Sequence, residues 1–475
     1  MKPGWFGKGQ FEWNGRRWLV TGLIAAAALW VVLLAGIPAL QRLPYWFWPL
    51  HLTPLPFGWV ILPGMLAVLA AAAVWVFKHP ERFWVNTAIL MAAALVMQLG
   101  WVWMEGRGMI PLQERLLTSG HSGFLRQAVE EPAIGMSVRE YTSRWLTGDM
   151  VAAYPMSTKP PGQLAVYQAL ALAGLWLARG SGADPLTTTA RLAAWWMPIL
   201  ACLVILPLNS ISRQCFSGGW IYLPALVMAT FPAFILVQVH LDQALYPLLV
   251  MVPFWVGLEA WQRHRFGWLA LAGGLVYLAG FVSFSLWAGG VLLAGVLVCL
   301  TVFERSGWQQ LVLAGALLAG GFGAAYLLVW ITTGYDALTA YQLAVGNHAG
   351  WKVTAWPWYA IGYAGLLNLV EWGGWMGPMA GAALVAESSH ELFRGSSHTL
   401  LRSLTVALAG VVIWLAFGTE TMGETARLWL FLLPPVSLVI TGMAKRAFAN
   451  QPANLAVIIL VQVLTTLFIK LFMDF

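Results

Sequence analysis

A polar island over residues 105–161 interrupts segments too apolar for a water-soluble protein, and it ends in Ser157-Thr158-Lys159-Pro160-Pro161-Gly162. The two prolines fix their own backbone angles and force the residue before them to be extended, so Lys159 sits on stiff chain beside an apolar stretch. A positioned ammonium next to a membrane helix suits the phosphate of a lipid, whose charge must be neutralised near the headgroups. The same string also suits a proline-started helix with a snorkelling lysine. Glu424 and Arg427 stand three apart, on one face if that stretch is helical. Arg427 would then aim a planar, permanently charged fork at a phosphate, or close an ion pair with Glu424. In His240-Leu241-Asp242-Gln243 a carboxylate falls at a predicted helix end, where burial would be costly. His121 and His348 lie in polar loops, with Lys352 close to the second. Neither histidine has a carboxylate or cysteine at zinc-ligand spacing, so no metal site is predicted.

The elements that must carry these residues are membrane helices. Of 475 residues, 60% are apolar and 9% charged, against about 25% charged in soluble domains. Mean hydropathy is +0.73. Apolar runs reach the roughly twenty residues that a hydrocarbon core demands of a helix. They fall at 18–40, 58–77, 84–104, 190–208, 220–239, 244–260, 267–284, 286–303, 309–331, 358–386, 401–418, 427–443 and 454–472. Aromatic clusters such as Tyr45-Trp46-Phe47-Trp48 mark interfaces. The predicted class is an all-α polytopic membrane protein of about 13 transmembrane helices forming a single domain.

The net charge of +7 raises nucleic acid as a partner, but the basic residues sit in short loops with no run that would track a phosphodiester backbone. They set orientation instead. Lys2, Lys8, Arg16 and Arg17 place the amino terminus in the cytoplasm. Lys78, Arg82, Arg213, Arg263, Arg265, Arg305, Arg394, Arg402, Lys445 and Arg446 follow on the same side if 163–178 is a re-entrant or interfacial helix rather than a span. The first run is too long for a signal-peptide core and reads as an uncleaved helix. The polar island, Asp242, His348 and the Glu424 region then share the outer face. Short amphipathic helices at 111–117, 123–129 and 138–147 would let the island lie on the membrane. Cys202, Cys215 and Cys299 lie in or beside apolar segments and imply no disulfide framework.

A long outer loop with interfacial helices, ending in Lys159-Pro160-Pro161 and a short apolar helix, resembles C-type glycosyltransferases (GT-C), in particular the aminoarabinose transferases of lipid A and the protein O-mannosyltransferases. A Gly-Glu-x-x-Arg-Leu-Trp-Leu-Phe-x-x-Pro string, residues 423–434, is similar to one in bacterial membrane proteins of this type. The resemblance implies a GT-C fold with a large extracytoplasmic loop, and the outer-face orientation suggests a bacterial inner membrane. It implies transfer of a sugar from a polyprenyl-phosphate carrier to a lipid, glycan or protein acceptor, with inversion, and no tightly bound cofactor. Those enzymes use a carboxylate early in the first outer loop as base. The usual Asp is absent here, Glu105 holds the nearest position, and Glu114 is the reserve. Asp242 resembles the family's second acid, with Gln243 beside it. Lys159, Arg427 and Lys352 would hold the carrier phosphate, supported by Glu424, His121 and His348. A transporter or flippase of a lipid-linked precursor, or a non-catalytic envelope assembly protein, remains the competing expectation.

Overall fold

The computed structural model describes residues 15–36, 52–118, 123–130, 138–139, 143–144, 159–236, 241–351, 358–393, 398–419, 424–448 and 453–473, and the regular structure it assigns there is helical. In chain order the first helices are α1 (Gly15–Ala35), α2 (Gly58–Lys78), α3 (Phe83–Trp103), α4 (Ile110–Thr118), α5 (Gly123–Glu130) and α6 (Gly162–Ser181). Then come α7 (Pro185–Cys202), α8 (Ile205–Cys215), α9 (Leu223–Met228), α10 (Pro232–Leu236), α11 (Leu241–Ala244), α12 (Tyr246–Gln262) and α13 (Gly267–Val282). The last are α14 (Trp287–Glu304), α15 (Trp308–Thr333), α16 (Ala337–Trp351), α17 (Trp358–Met376), α18 (Pro378–Phe393), α19 (Thr399–Gly418), α20 (Thr425–Leu428), α21 (Leu433–Phe448) and α22 (Ala453–Phe472).

Among the described residues nine helices are long and apolar enough to cross a membrane: α1, α2, α3, α7 continued by α8, α14, α15, α19, α21 and α22. Their burial runs opposite to that of a soluble bundle. In α15 the buried residue is Ala314, while Val312, Leu328 and Ile331 face outward. Such a surface is stable only against lipid. The polar side chains point inward and bond between helices, as they must where no water competes. Asn209 Nδ2 donates to Thr87 Oγ1 at 3.2 Å, and Asn368 Nδ2 to the Ala416 carbonyl at 3.0 Å. The chain is a helical, multi-pass membrane protein.

The helix pattern departs from the thirteen expected runs in three places, each with a local cause. The run at 220–239 is broken: a 3-10 turn, Gly218–Tyr222, leads into α9, and Pro232 opens α10 after an interruption. The run at 358–386 is two helices, because Gly377 adopts φ +93° and ends α17 before Pro378 opens α18. The carbonyl of Met376, orphaned by that break, accepts a hydrogen bond from Gln462 Nε2 of α22 at 2.9 Å. The loop expected at 331–357 contains α16, whose first amides bond the Asp336 carboxylate. Helices α12 and α13, at 17 and 16 residues, are slightly short of a full span.

Two ends of the bundle can be told apart by contacts. At one, Phe57 N donates to the Met104 carbonyl at 3.2 Å and Thr53 N to the Leu471 carbonyl at 3.1 Å, bringing α2, α3 and α22 together. At the other, Tyr222 donates to the Pro80 carbonyl at 2.8 Å, Arg213 stacks on Phe83, and Lys445 lies over Phe216. Gln214 bonds Glu259, the ion-pair partner of Arg263, so that basic residue shares this end. Helices α6 and α7 form an antiparallel hairpin. Asp184 caps α7 by accepting from Thr187 N at 2.7 Å, Pro185 fills the first helical position, and Gly174 meets Thr189 without room for a side chain. The stretch at 163–178 is thus part of a 20-residue helix, about 30 Å long.

Candidate functional site

The site begins where α3 stops. Its apolar run ends at Trp103, and Gly106 and Gly108 take φ of +83° and +61°. A side chain at Gly106 would strike Phe57 and Pro56, so the tight turn needs glycine there. The turn sends α4 back over the end of α3. Helix α4 buries Pro111, Leu112 and Leu116 while packing on α7, and its polar face carries Glu114 and Arg115. Helix α22 arrives from the carboxyl end of the chain with Lys470 in its last turn.

These three elements meet at Glu105, whose side chain is 10% exposed. Arg115 Nη2 donates to both carboxylate oxygens, at 2.8 and 2.9 Å, and Lys470 Nζ donates to Oε1. Glu105 therefore accepts three charge-assisted hydrogen bonds from two cations, and Lys470 is 7% exposed. Charge-assisted bonds in so enclosed a place are stronger than in water and hold the carboxylate in one orientation. Glu114 is elsewhere: it is exposed and forms a two-point pair with Arg107, Nη1 donating to Oε2 at 2.9 Å. That carboxylate holds the Arg107 guanidinium above its ordinary pKa.

A second charged group lies at α20. Arg427 pairs with Glu424, three residues earlier, and is 11% exposed. The fully buried Thr425 lies beside this pair, and α17 packs across α20 with its buried Glu371. Trp372 of α17 meets Trp429 edge to face at 5.6 Å between centroids. Helix α10 packs on α3, α17 and α22, the helices that carry or flank the two groups.

Lys159 is partly buried immediately before α6, and Gly162 at the start of that helix presses on the Phe281 backbone at the end of α13. Asp242 and Gln243 lie on α11, which packs against α7. Only the Gln243 side chain is described: it is buried, and its Oε1 lacks a hydrogen-bond partner, as do Gln127 Oε1 on α5 and Gln163 Oε1 on α6. His348 lies on α16 with its side chain outside the described residues, as is that of Asp242. His121 and Lys352 fall outside the described residues altogether. Among the described residues no group of three His, Cys, Asp or Glu side chains could hold a metal ion.

Sequence reasoning passed over Arg115, Lys470 and a charged cluster at the opposite end. There Arg446 of α21 pairs with Glu387 and, at 3.1 Å, with Glu391, both fully buried on α18. The available signals were an ionisable residue inside an apolar run for Lys470, and acids spaced i, i+4 for α18. A scan against protein-family models finds no match, and a search of curated proteins finds none either.

Proposed function

We propose that this chain is a membrane glycosyltransferase of the GT-C type. It would move a sugar from a polyprenyl-phosphate carrier to a lipid, glycan or protein acceptor on the extracytoplasmic side, inverting the anomeric carbon. In this reading the chain crosses a bacterial inner membrane about thirteen times with its amino terminus inside, and the Glu105 end of the bundle faces out. The clustering of Arg213, Arg263 and Lys445 at the opposite end supports that orientation. It also supports α6 as a re-entrant or interfacial helix rather than a span.

The observation that carries the proposal is the carboxylate of Glu105, set at the end of a membrane helix, nearly enclosed, and oriented by cations from α4 and α22. A general base must lie within hydrogen-bond reach of the acceptor hydroxyl and be held there. The acceptor proton passes to Glu105 as the acceptor oxygen bonds to the anomeric carbon. The bond from that carbon to the phosphate oxygen breaks on the far side, and its electron pair stays with the carrier phosphate. Arg427, steadied by Glu424, and Lys159 stabilise that growing charge. Asp242 and Gln243 orient the acceptor.

The test is transfer from labelled polyprenyl-phosphate sugars by purified protein carrying Lys159→Ala or Arg427→Ala. Each is expected to lower turnover by about 10²-fold or more. Full activity in both variants would sink the assignment. One observation favours a second reading, transport of a lipid-linked precursor: the run broken at Gly377 and the buried Glu387 and Glu391 beyond it resemble the broken, charged helices of transporters. Carrier movement across vesicles without sugar transfer would select that alternative.

A further inference from the structure

The charged cluster at the end of the bundle away from Glu105 does not balance. Glu387 and Glu391 stand one helical turn apart on α18, and both are fully buried. A single guanidinium serves them. Arg446 of α21 sets Nη2 against Glu387 and donates from Nη1 to Glu391 Oε1 at 3.1 Å. Two carboxylates therefore share one positive charge. The cation, 31% exposed, keeps part of its hydration while the two acids keep none. Donors are short as well: Glu387 Oε1 and Glu391 Oε2 are buried without a hydrogen-bond partner. Glu387 Oε1 lies against the bare backbone of α21, where a side-chain carbon at Gly442 would stand 3.1 Å from it. A buried carboxylate without its own counter-charge costs far more than the neutral acid, so such a group takes up a proton instead of staying ionised.

Among the described residues no second lysine or arginine pairs with either acid. Helix α18 packs on α1, α17, α19, α21 and α22. Arg17 of α1 is exposed, Arg402 of α19 stacks on Phe303, and Lys445 of α21 lies over Phe216. Glu371 of α17 is a further acid, and Lys470 of α22 is committed to Glu105 at the other end. The remaining titratable neighbour is His390, whose Nδ1 stands 3.7 Å from Glu391 Oε1, beyond hydrogen-bond distance. Its side chain is 18% exposed.

We infer that Glu387 and Glu391 form a binding site for a single proton, held against Arg446 at the end of the bundle that carries Arg263. The proton bonds to one carboxylate oxygen and nothing leaves. The new O–H is the donor that the orphaned oxygens lack. The site then holds one carboxylate, one carboxylic acid and one guanidinium, and its charges cancel. Such a pair titrates as a unit, with the proton belonging to both acids. Losing it leaves a net negative charge enclosed by α18 and α21, so rising pH loosens this end of the bundle. His390, partly exposed and next to Glu391, gives the proton its path to water. The inference stands apart from the glycosyltransferase reading, since it needs neither Glu105 nor a sugar donor.

The experiment is infrared spectroscopy of the purified protein in detergent, in water and in heavy water, with thermal midpoints from about pH 5 to about pH 9. Wild type, Glu387→Gln, Glu391→Gln and His390→Phe would be compared. A protonated carboxyl gives a carbonyl band that a carboxylate lacks and that shifts in heavy water. Wild type is expected to show this band at neutral pH, and to lose both the band and thermal stability as pH rises. The sign follows from linkage. The folded protein holds about one proton that an unfolded glutamate releases near about pH 4, so folding is favoured below the site's own titration and weakened above it. Either Gln variant leaves one carboxylate facing one guanidinium. Both should therefore lack the band, depend less on pH by about one proton, and exceed wild type in midpoint at the alkaline end. His390→Phe should keep the band. A triad ionised throughout predicts no band and two Gln variants less stable than wild type at every pH, and that result overturns the inference. A band kept in either Gln variant overturns the shared site. A wild type without the band, whose pH dependence disappears in His390→Phe, puts the proton on the imidazole instead. A wild type without the band, whose midpoint rises with sodium concentration, puts a metal cation there. Each of those two results also overturns the inference.

Discussion

Glu105 and Glu114 were the two carboxylates that the sequence offered for one role, and their surroundings separate them. Glu105 is enclosed and gripped by two cations, while Glu114 is half exposed and bound to Arg107 on the solvent side of the turn. An exposed pair of that kind is screened by solvent and contributes little to stability. Glu114→Gln should accordingly leave sugar transfer within about threefold of wild type, measured as initial rate. A loss of two orders of magnitude in that variant would move the base from Glu105 to Glu114. Sequence alone could not make this distinction, because it depends on Lys470, which is remote in the chain and joins Glu105 only through the packing of α22. Arg115 was closer to legible: two glycines after Glu105 announced a reversal that folds α4 back onto it.

At the scale of elements, turn chemistry explains most of what the apolar pattern left open. Hydropathy located the nine long apolar helices found among the described residues because every lipid-facing residue must be apolar, but it is blind to backbone breaks within an apolar run. The break at Gly377 is such a case, since Met376, Gly377 and Pro378 interrupt the helix without interrupting hydrophobicity. A methyl group at Gly377 would need φ +93° and would meet the Gln462 amide. Gly377→Ala should thus cost roughly 1–2 kcal/mol and lower the thermal midpoint in detergent, read by residual monodisperse protein after heating. An unchanged midpoint would mean that α17 and α18 do not break there. The α6–α7 hairpin depends on Asp184, whose carboxyl is held below its ordinary pKa first by its hydrogen bonds from Thr187. With the folded value depressed, the stabilisation is fully present above the unfolded pKa, about 3.9, and is lost as pH falls through the folded value. Asp184→Ala should cost about 1 kcal/mol at neutral pH, and the difference from wild type should vanish once the carboxyl is protonated. A pH-independent difference would contradict the capping role.

For the whole molecule, the Glu105 end and the Arg263 end are opposite ends of the bundle, and under the proposed function they face opposite sides of a membrane. The separation follows from contacts among α2, α3 and α22 at one end and around Phe83, Phe216 and Glu259 at the other. A Glu114→Cys variant in intact cells should react with a membrane-impermeant thiol reagent, whereas Arg265→Cys should react only after permeabilisation. The reverse pattern would invert the protein and remove the extracytoplasmic site. The helical, multi-pass class was legible from composition, since 60% apolar and 9% charged residues leave no soluble alternative. The packing around the candidate residues was less so, because it depends on which short helices, such as α10 and α20, lie between the spans. The proposed function turns on Glu105 as the base of a glycosyl transfer. Purified protein and its Glu105→Gln variant would be offered a panel of labelled polyprenyl-phosphate sugars, with label followed into membrane extracts. Transfer or slow donor hydrolysis is expected in the wild type, reduced about 10²- to 10⁴-fold in the variant. Equal turnover in both, or none in either despite saturable carrier binding, would contradict it.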